Sequence, residues 1–179
     1  MTLQDYLRRY PKQAEETVAW GKLFLFRVVS YFTGEIPPLE FVTSTRSILL
    51  KDNQVLVVRN AEGRHIVPGG KREGEESLTE TLYREVLEET GWQIDTPEML
   101  GVWHFHHLKP MPPDYPYPYP DFLHLIYQAR AVKFVPEAKK TDDYELECRF
   151  MPIDAAMQII INQPNQMKFL KLVVSKGIL

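Results

Sequence analysis

One cysteine among 179 residues rules out an intrachain disulfide and any cluster of thiolate metal ligands. Cys148 stands in an apolar, strand-like context and reads as a small buried hydrophobe. Long hydrophobic runs are missing too: the most apolar stretch, Leu23 to Phe32, is interrupted by Arg27 and is too short to span a bilayer. No N-terminal apolar run leads to a small-residue cleavage site, so no secretory leader is expected. A cytoplasmic location is the expectation. Excess positive charge is absent as well. A net charge of −3 argues against a protein whose main task is gripping a nucleic-acid backbone. A small phosphorylated ligand needs only a local basic patch, which that charge permits. No internal repeat is visible. What remains, 44% hydrophobic and 25% charged residues, suits one globular domain with a full core and an appendage.

The first 38 residues read as separate from the rest. Pro11 suits the first turn of a helix running to about Thr33, with Gly34 as its stop and Pro37-Pro38 beyond. Val18, Leu25, Val28 and Phe32 recur at helical spacing. Such a helical extension either packs on its own domain or makes a homodimer contact. Strands are expected at Phe41 to Leu50 and Gln54 to Arg59, joined at Lys51-Asp52-Asn53, and in short form at His65 to Val67. Further strands are expected at Met99 to His107, Phe122 to Phe134 and Glu145 to Met151. Asp154 and Pro164 open two closing helices. Strands flanked by helices without a regular βαβ repeat predict an α/β (α+β) fold, a mixed sheet with helices on its faces.

Gly70 to Trp92 carries the chemistry. It reads Gly70, five residues, Glu76, seven residues, then Arg84-Glu85-Val86, Glu88-Glu89 and Gly91-Trp92. Chance agreement with this pattern at a given start is on the order of 10⁻⁹ from average residue usage. Ser77-Leu78-Thr79-Glu80 is a capping box, so a helix is predicted from there to about Thr90, stopped by Gly91. At 3.6 residues per turn, Glu85, Glu88 and Glu89 share one arc, while Leu82, Val86 and Tyr83 occupy another that can face the sheet. Three clustered carboxylates repel one another. A hard divalent cation offsets that charge and prefers oxygen ligands, which points to Mg²⁺ or Mn²⁺.

This run resembles the Nudix box, without gaps or mismatches, and the resemblance extends over roughly residues 40 to 160. It implies a Nudix hydrolase domain over 39–179 with a mixed sheet sandwiched between helices. It also implies roles. Glu88 and Glu89 match the metal-ligating pair, and Glu85 matches a further ligand or the general base. Arg84 matches the arginine that orients that Glu, and its permanent charge suits the task. Glu76 is expected to support, with Gly70, and Gly69 matches the residue whose backbone reaches the metal. Metal ions polarise phosphoryl oxygens and acidify a bound water, which a carboxylate deprotonates for in-line attack on a diphosphate.

Outside the box the pattern thins. Many relatives carry a late Glu where this chain has Tyr144, so Asp143 and Glu145 are the candidate late base or ligand, with Glu147 weaker. Many have Trp where this chain has His65. Leu108 to Asp121 holds six prolines and three tyrosines, and therefore reads as a semi-rigid loop. Its Tyr115, Tyr117 and Tyr119 are candidates for stacking a nucleobase, or form an interface loop through which a homodimer is built. Arg46, His65 and Trp103 complete the substrate-binding candidates. Arg59 and Arg64, in turns, are candidates for stabilising the leaving phosphate. In the run Trp103 to His107, strand alternation sends His104 and His106 to one face and His107 to the other.

The expected partner is a small nucleotide-type substrate, with no membrane and no extended nucleic acid. The expected activity is metal-dependent hydrolysis of a nucleoside diphosphate derivative such as ADP-ribose, a nucleotide sugar or a dinucleotide. The alternatives are a (d)NTP pyrophosphatase and a ligand-sensing module without turnover. An isopentenyl-diphosphate isomerase-like enzyme needs an active-site cysteine before the box, whereas Cys148 comes well after it.

Overall fold

A computed structural model describes residues 1–140 and 145–177. A short helix, α1 (Leu3–Arg8), leads into a β-hairpin of β1 (Lys12–Trp20) and β2 (Phe24–Phe32). The helix expected from Pro11 to Thr33 is therefore corrected to two strands. The apolar residues in this stretch are mostly β-branched or aromatic, and Gly21 in the middle of a helix would cost about 1 kcal/mol relative to Ala. Gly21 instead adopts φ +57 and turns the chain, bringing Trp20 opposite Phe24. Burial alternates along β1 from Glu15 to Trp20, and β2 is buried because its other edge pairs with a later strand.

The remaining strands are β3 (Val42–Lys51), β4 (Gln54–Asn60), β5 (Gly63–His65), β6 (Gly69–Lys71), β7 (Trp92–His107), β8 (Asp121–Phe134) and β9 (Glu145–Pro152). The helices are α2 (Leu78–Thr90), α3 (Ile153–Ile159) and α4 (Pro164–Ser175). Among the described residues the sheet runs β1-β2-β7-β8-β3-β4-β5, with β6 also on β3 and β9 also on β4. The pairing of β3 with β8 is parallel and the other pairings are antiparallel, so the sheet is mixed as expected.

The sheet forks at β3. Next to the turn at Asp52 and Asn53, both with positive φ, β3 and β4 pair only at Leu50↔Val55 and Lys51↔Gln54. They then separate. In the opening, β6 pairs with β3 at Ser44 to Arg46, while β9 takes over the edge of β4. This fork places Gly69 and Gly70, at the start of the box, against β3.

Alternation along the strands builds a core on each face. One gathers Phe26, Val28, Ile48, Val57, Phe105, Phe122 and Ile126 with Phe169, Leu170 and Val173 of α4. The other gathers Leu3, Tyr6 and Leu7 of α1, Leu82 and Val86 of α2, and Val29, Leu49, Leu56, Leu123 and Leu125 from the strands. No helix among the described residues is long and apolar enough to cross a membrane.

Candidate active site

Helix α2 begins and ends where its sequence dictates. The Ser77 hydroxyl accepts from the Glu80 N–H while the Glu80 carboxylate accepts from the Ser77 N–H, and Gly91 closes the helix at φ +75. Leu82, Val86 and Thr90 are buried against the sheet. Tyr83, expected on that arc, lies just beyond its edge and is 38% exposed. Glu85, Glu88 and Glu89 stay on the partly exposed arc.

Two adjacent glycines bring β6 under these carboxylates. Gly69 holds φ +137, and a Cβ there would stand 2.3 Å from the Thr45 carbonyl oxygen. Its N–H donates to Glu89 Oε2 at 2.6 Å. A Cβ on Gly70 would stand 2.2 Å from Glu85 Oε2, so the Glu85 carboxylate occupies the space a side chain would fill. The Ser44 hydroxyl donates to the Gly70 carbonyl at 2.8 Å and ties this turn to β3.

Arg84 organises the charges. Its Nε and Nη2 donate to the two oxygens of Glu76 at 2.6 and 2.9 Å. Its Nη1 donates to Glu85 Oε1 at 2.9 Å and to Glu88 Oε2 at 3.3 Å, and Nη2 also donates to the Lys71 carbonyl at 3.0 Å. One guanidinium thus bridges three carboxylates, using the fork geometry that a lysine lacks. The hydrogen bonds from Arg84 pull Glu76 down to about 2, while donating to Glu76 and Glu85 raises Arg84 further against its burial. Glu88 has a second cation, Lys140 Nζ at 2.6 Å from Oε2, which raises that lysine. Lys140 escapes a sequence reading because it lies 52 positions from Glu88; only the fold makes them neighbours.

Among the described residues, no three His, Cys, Asp or Glu side chains already converge into a cage for a metal ion. The donor set nevertheless fits Mg²⁺ or Mn²⁺. Three hard carboxylates share one arc, and Gly70 leaves the space that Glu85 fills. Magnesium is ordinarily held by one or two carboxylates and completes its shell with water and substrate phosphates.

The end of the site beyond β6 is aromatic. Ser44 stands in register between Lys71 of β6 and His124 of β8. Lys71 Nζ donates to the Tyr117 hydroxyl at 2.6 Å and sits 4.7 Å from that ring's centre. His124 is buried among Phe105, Phe122 and Trp20, with ring centres 4.4, 5.5 and 6.1 Å away. Burial, with the charges of Arg46 and Lys71 nearby, holds His124 well below the ordinary histidine range, so it is neutral. Its Nδ1 has no hydrogen-bond partner among the described residues.

The other candidates scatter. Arg46, Cα partner of Gly69, donates to the Val67 carbonyl at 3.2 Å. His65 Nδ1 accepts from the Val67 N–H at 3.3 Å. Tyr115 meets His107 Nε2 at 2.8 Å, and the Tyr119 hydroxyl donates to the Lys109 carbonyl at 3.3 Å. Trp103 is buried against Phe169 of α4. Asp143 and Tyr144 lie outside the described residues, and so does the side chain of Glu145. Glu147 accepts from Arg59 Nε at 3.1 Å and lines a hollow with Arg64 and Arg149 rather than joining the box carboxylates. His104 and His106 share one face and one partner, Asp121, while His107 is on the other, as alternation requires.

The sequence model of the NUDIX domain matches residues 41–173. An uncharacterized Nudix hydrolase of Bacillus subtilis, YvcI, is 39% identical over 62 residues, covering 34% of this chain and 39% of that protein. A MutT-like protein of Streptomyces ambofaciens is 35% identical over 68 residues, 37% of this chain and 44% of its own length. The chain thus spans less than half of the curated relatives it matches. In three dimensions it is similar to a Bacillus subtilis pyrophosphohydrolase, with TM-score 0.61, 19% identity and coverage of 86% and 93% of the two chains. A NUDIX hydrolase of Nitrosomonas europaea gives 0.58 at 20% identity, covering 75% and 90%. A protein described as an ADP compounds hydrolase gives 0.53 at 18%, covering 95% and 97%.

Proposed function

Because the chain belongs to the Nudix family, we propose that it is a divalent-metal-dependent pyrophosphohydrolase that splits a diphosphate bond in a nucleoside diphosphate derivative. The observation that carries this reading is the complete carboxylate face, with Glu85 seated over Gly70 and Glu89 bonded to Gly69. Glu85, Glu88 and Glu89 would hold Mg²⁺ or Mn²⁺, which when bound polarises phosphoryl oxygens and acidifies water. Glu85 takes the proton of the attacking water, and Arg84 holds that carboxylate in position at 2.9 Å. Water's oxygen bonds to one phosphorus as the bridging P–O bond breaks, and the bond's electron pair leaves with the departing phosphate. Arg46 and Lys71, beside the glycine turn, would offset that charge.

The ring of the substrate is read from the same end. Lys71 links the glycine turn to Tyr117, and neutral His124 with Trp20 and Phe105 lies on the other side of Ser44. A flat, hydrogen-bonding group such as a nucleobase suits a neutral imidazole and aromatic walls. Two of the similar folds bear the names pyrophosphohydrolase and ADP compounds hydrolase, which agree with this class.

The test is turnover with Mg²⁺ or Mn²⁺ across ADP-ribose, nucleotide sugars, dinucleoside polyphosphates and (d)NTPs. Glu85→Gln and Glu89→Gln should lower kcat on the order of 10²–10⁴-fold. Free Mg²⁺ should also raise the melting temperature of the wild type more than that of Glu88→Gln, since a ligand that binds the native state stabilises it. No turnover of any substrate, or full activity in both variants, would sink the proposal.

A further inference from the structure

Beside α1, on the face it shares with α2, the sheet carries a hollow of about 370 Å³ that contains none of the box residues. Its floor is β2, β7 and β8, which contribute Arg27, Val29, Tyr31, His104, His106 and Asp121. Leu7 and Arg8 of α1, then Tyr10 and Lys12, form its rim. Its charge is opposite to that of the box. Arg8, Lys12 and Arg27 stand against Asp121 alone, although Lys12 also pairs with Glu15 at 3.2 Å.

Asp121 is already committed. One oxygen, Oδ1, meets His104 Nε2 at 2.6 Å and His106 Nδ1 at 2.8 Å. Burial pushes this carboxyl up, and the two histidine hydrogen bonds outweigh it, so the group is lowered overall and stays ionised. The pair of contacts fixes both imidazoles and leaves His106 with its Nε2 for another partner. Arg27, the register partner of His106, has its Nε buried with no hydrogen-bond partner among the described residues. Arg27 and Arg8 form no ion pair among those residues. A guanidinium that lines the hollow without a carboxylate partner keeps an uncompensated charge, which an anion in the hollow would offset.

We infer that this hollow is a second ligand site, which takes a phosphomonoester of nucleotide size. The phosphate lies against Arg27, Arg8 and Lys12, whose two forked guanidiniums suit its oxygens. The rest of the molecule lies on the aromatic and aliphatic walls of Tyr10, Tyr31, Leu7 and Val29. The volume falls in the range of small-molecule sites, about 300–1,000 Å³. This inference stands apart from the hydrolytic reading, because it uses none of the box carboxylates.

The experiment titrates adenosine monophosphate into the full chain and follows the imidazole nitrogen signals of His104 and His106 by NMR. These reporters line the hollow, and a shift caused by ligand at the box alone would survive Arg27→Gln unchanged. The expected result is a saturable shift with the nucleotide and none with adenosine at equal concentration. Arg27→Gln should weaken the apparent affinity about tenfold or more, as expected for a lost charge-assisted contact. Arg8→Gln should weaken it in the same direction, and decides the matter if Arg27→Gln does not fold. Unmoved histidine signals at millimolar nucleotide, adenosine binding as tightly, or wild-type affinity in the folded variants would each overturn the inference.

Discussion

A methyl group on Gly70 would stand 2.2 Å from Glu85 Oε2, far inside van der Waals contact, so the carboxylate must move. Gly70→Ala should therefore lower kcat on the order of 10²-fold, the usual consequence of an ångström's misplacement, while the melting temperature changes little. Steady-state kinetics beside thermal melting checks this; unchanged kcat would mean that Glu85 need not sit there. Glu76 lends itself to a pH test. Its hydrogen bonds from Arg84 lower it from 4.5 to about 2. A carboxyl lowered by folding stabilises the native state above its unfolded value, and the contribution fades as pH falls from about 4.5 through about 2. Urea midpoints across that window should fall less steeply for Glu76→Gln than for the wild type. Parallel curves would show that the Arg84 contact adds nothing.

Among the elements, the N-terminal hairpin has the most consequence. Trp20, at its tip, packs on Phe26 and Phe105 with ring centres 4.7 and 5.3 Å away and stacks toward His124. It is only partly buried, so Trp20→Ala should cost about 2 kcal/mol, less than the 3–5 kcal/mol of fully buried aromatics. Denaturant unfolding measures that loss. In the same variant, KM for a ring-bearing substrate should rise while kcat is kept, since Trp20 belongs to the proposed ring site and not to the carboxylates. Among the described residues the outer strand β1 pairs only with β2, and Lys12, Glu15 and Glu16 place charge along it. Charge on an edge strand discourages pairing with another chain.

At the scale of the molecule, the hairpin is part of the sheet even though the NUDIX match begins at residue 41. Its second strand bonds to β7 from Phe26↔His107 to Phe32↔Gly101, and its Phe26, Val28 and Val29 enter the two cores. A chain starting at residue 39 would leave the β7 edge open and those core surfaces bare. It should aggregate or lose its cooperative thermal transition where the full chain melts sharply. A soluble, cooperatively melting truncation would instead make residues 1–38 a dispensable extension.

The box was legible from the sequence because its information is local. The Ser77–Glu80 cap, the Gly91 stop and the shared arc of Glu85, Glu88 and Glu89 follow from helical geometry within a few turns. Strands β3, β4, β8, β9 and the second half of β7 were legible from apolar runs and turn residues such as Asp52-Asn53. The strand expected at His65 to Val67 is replaced by β5, which ends at His65, and β6 beyond it, and β7 starts at Trp92 rather than Met99. Residues 11–33 were misread because their apolar residues satisfy a helical stripe as well as a strand. Gly21 and the β-branched and aromatic residues disfavour that helix, and the open edge of β7, which exists only after folding, gives β2 its partner. The contacts of Lys140 with Glu88, Lys71 with Tyr117, and His104 and His106 with Asp121 also required the tertiary structure. Local spacing determines which side chains share a helix or strand face; chain closure over dozens of residues decides which faces meet.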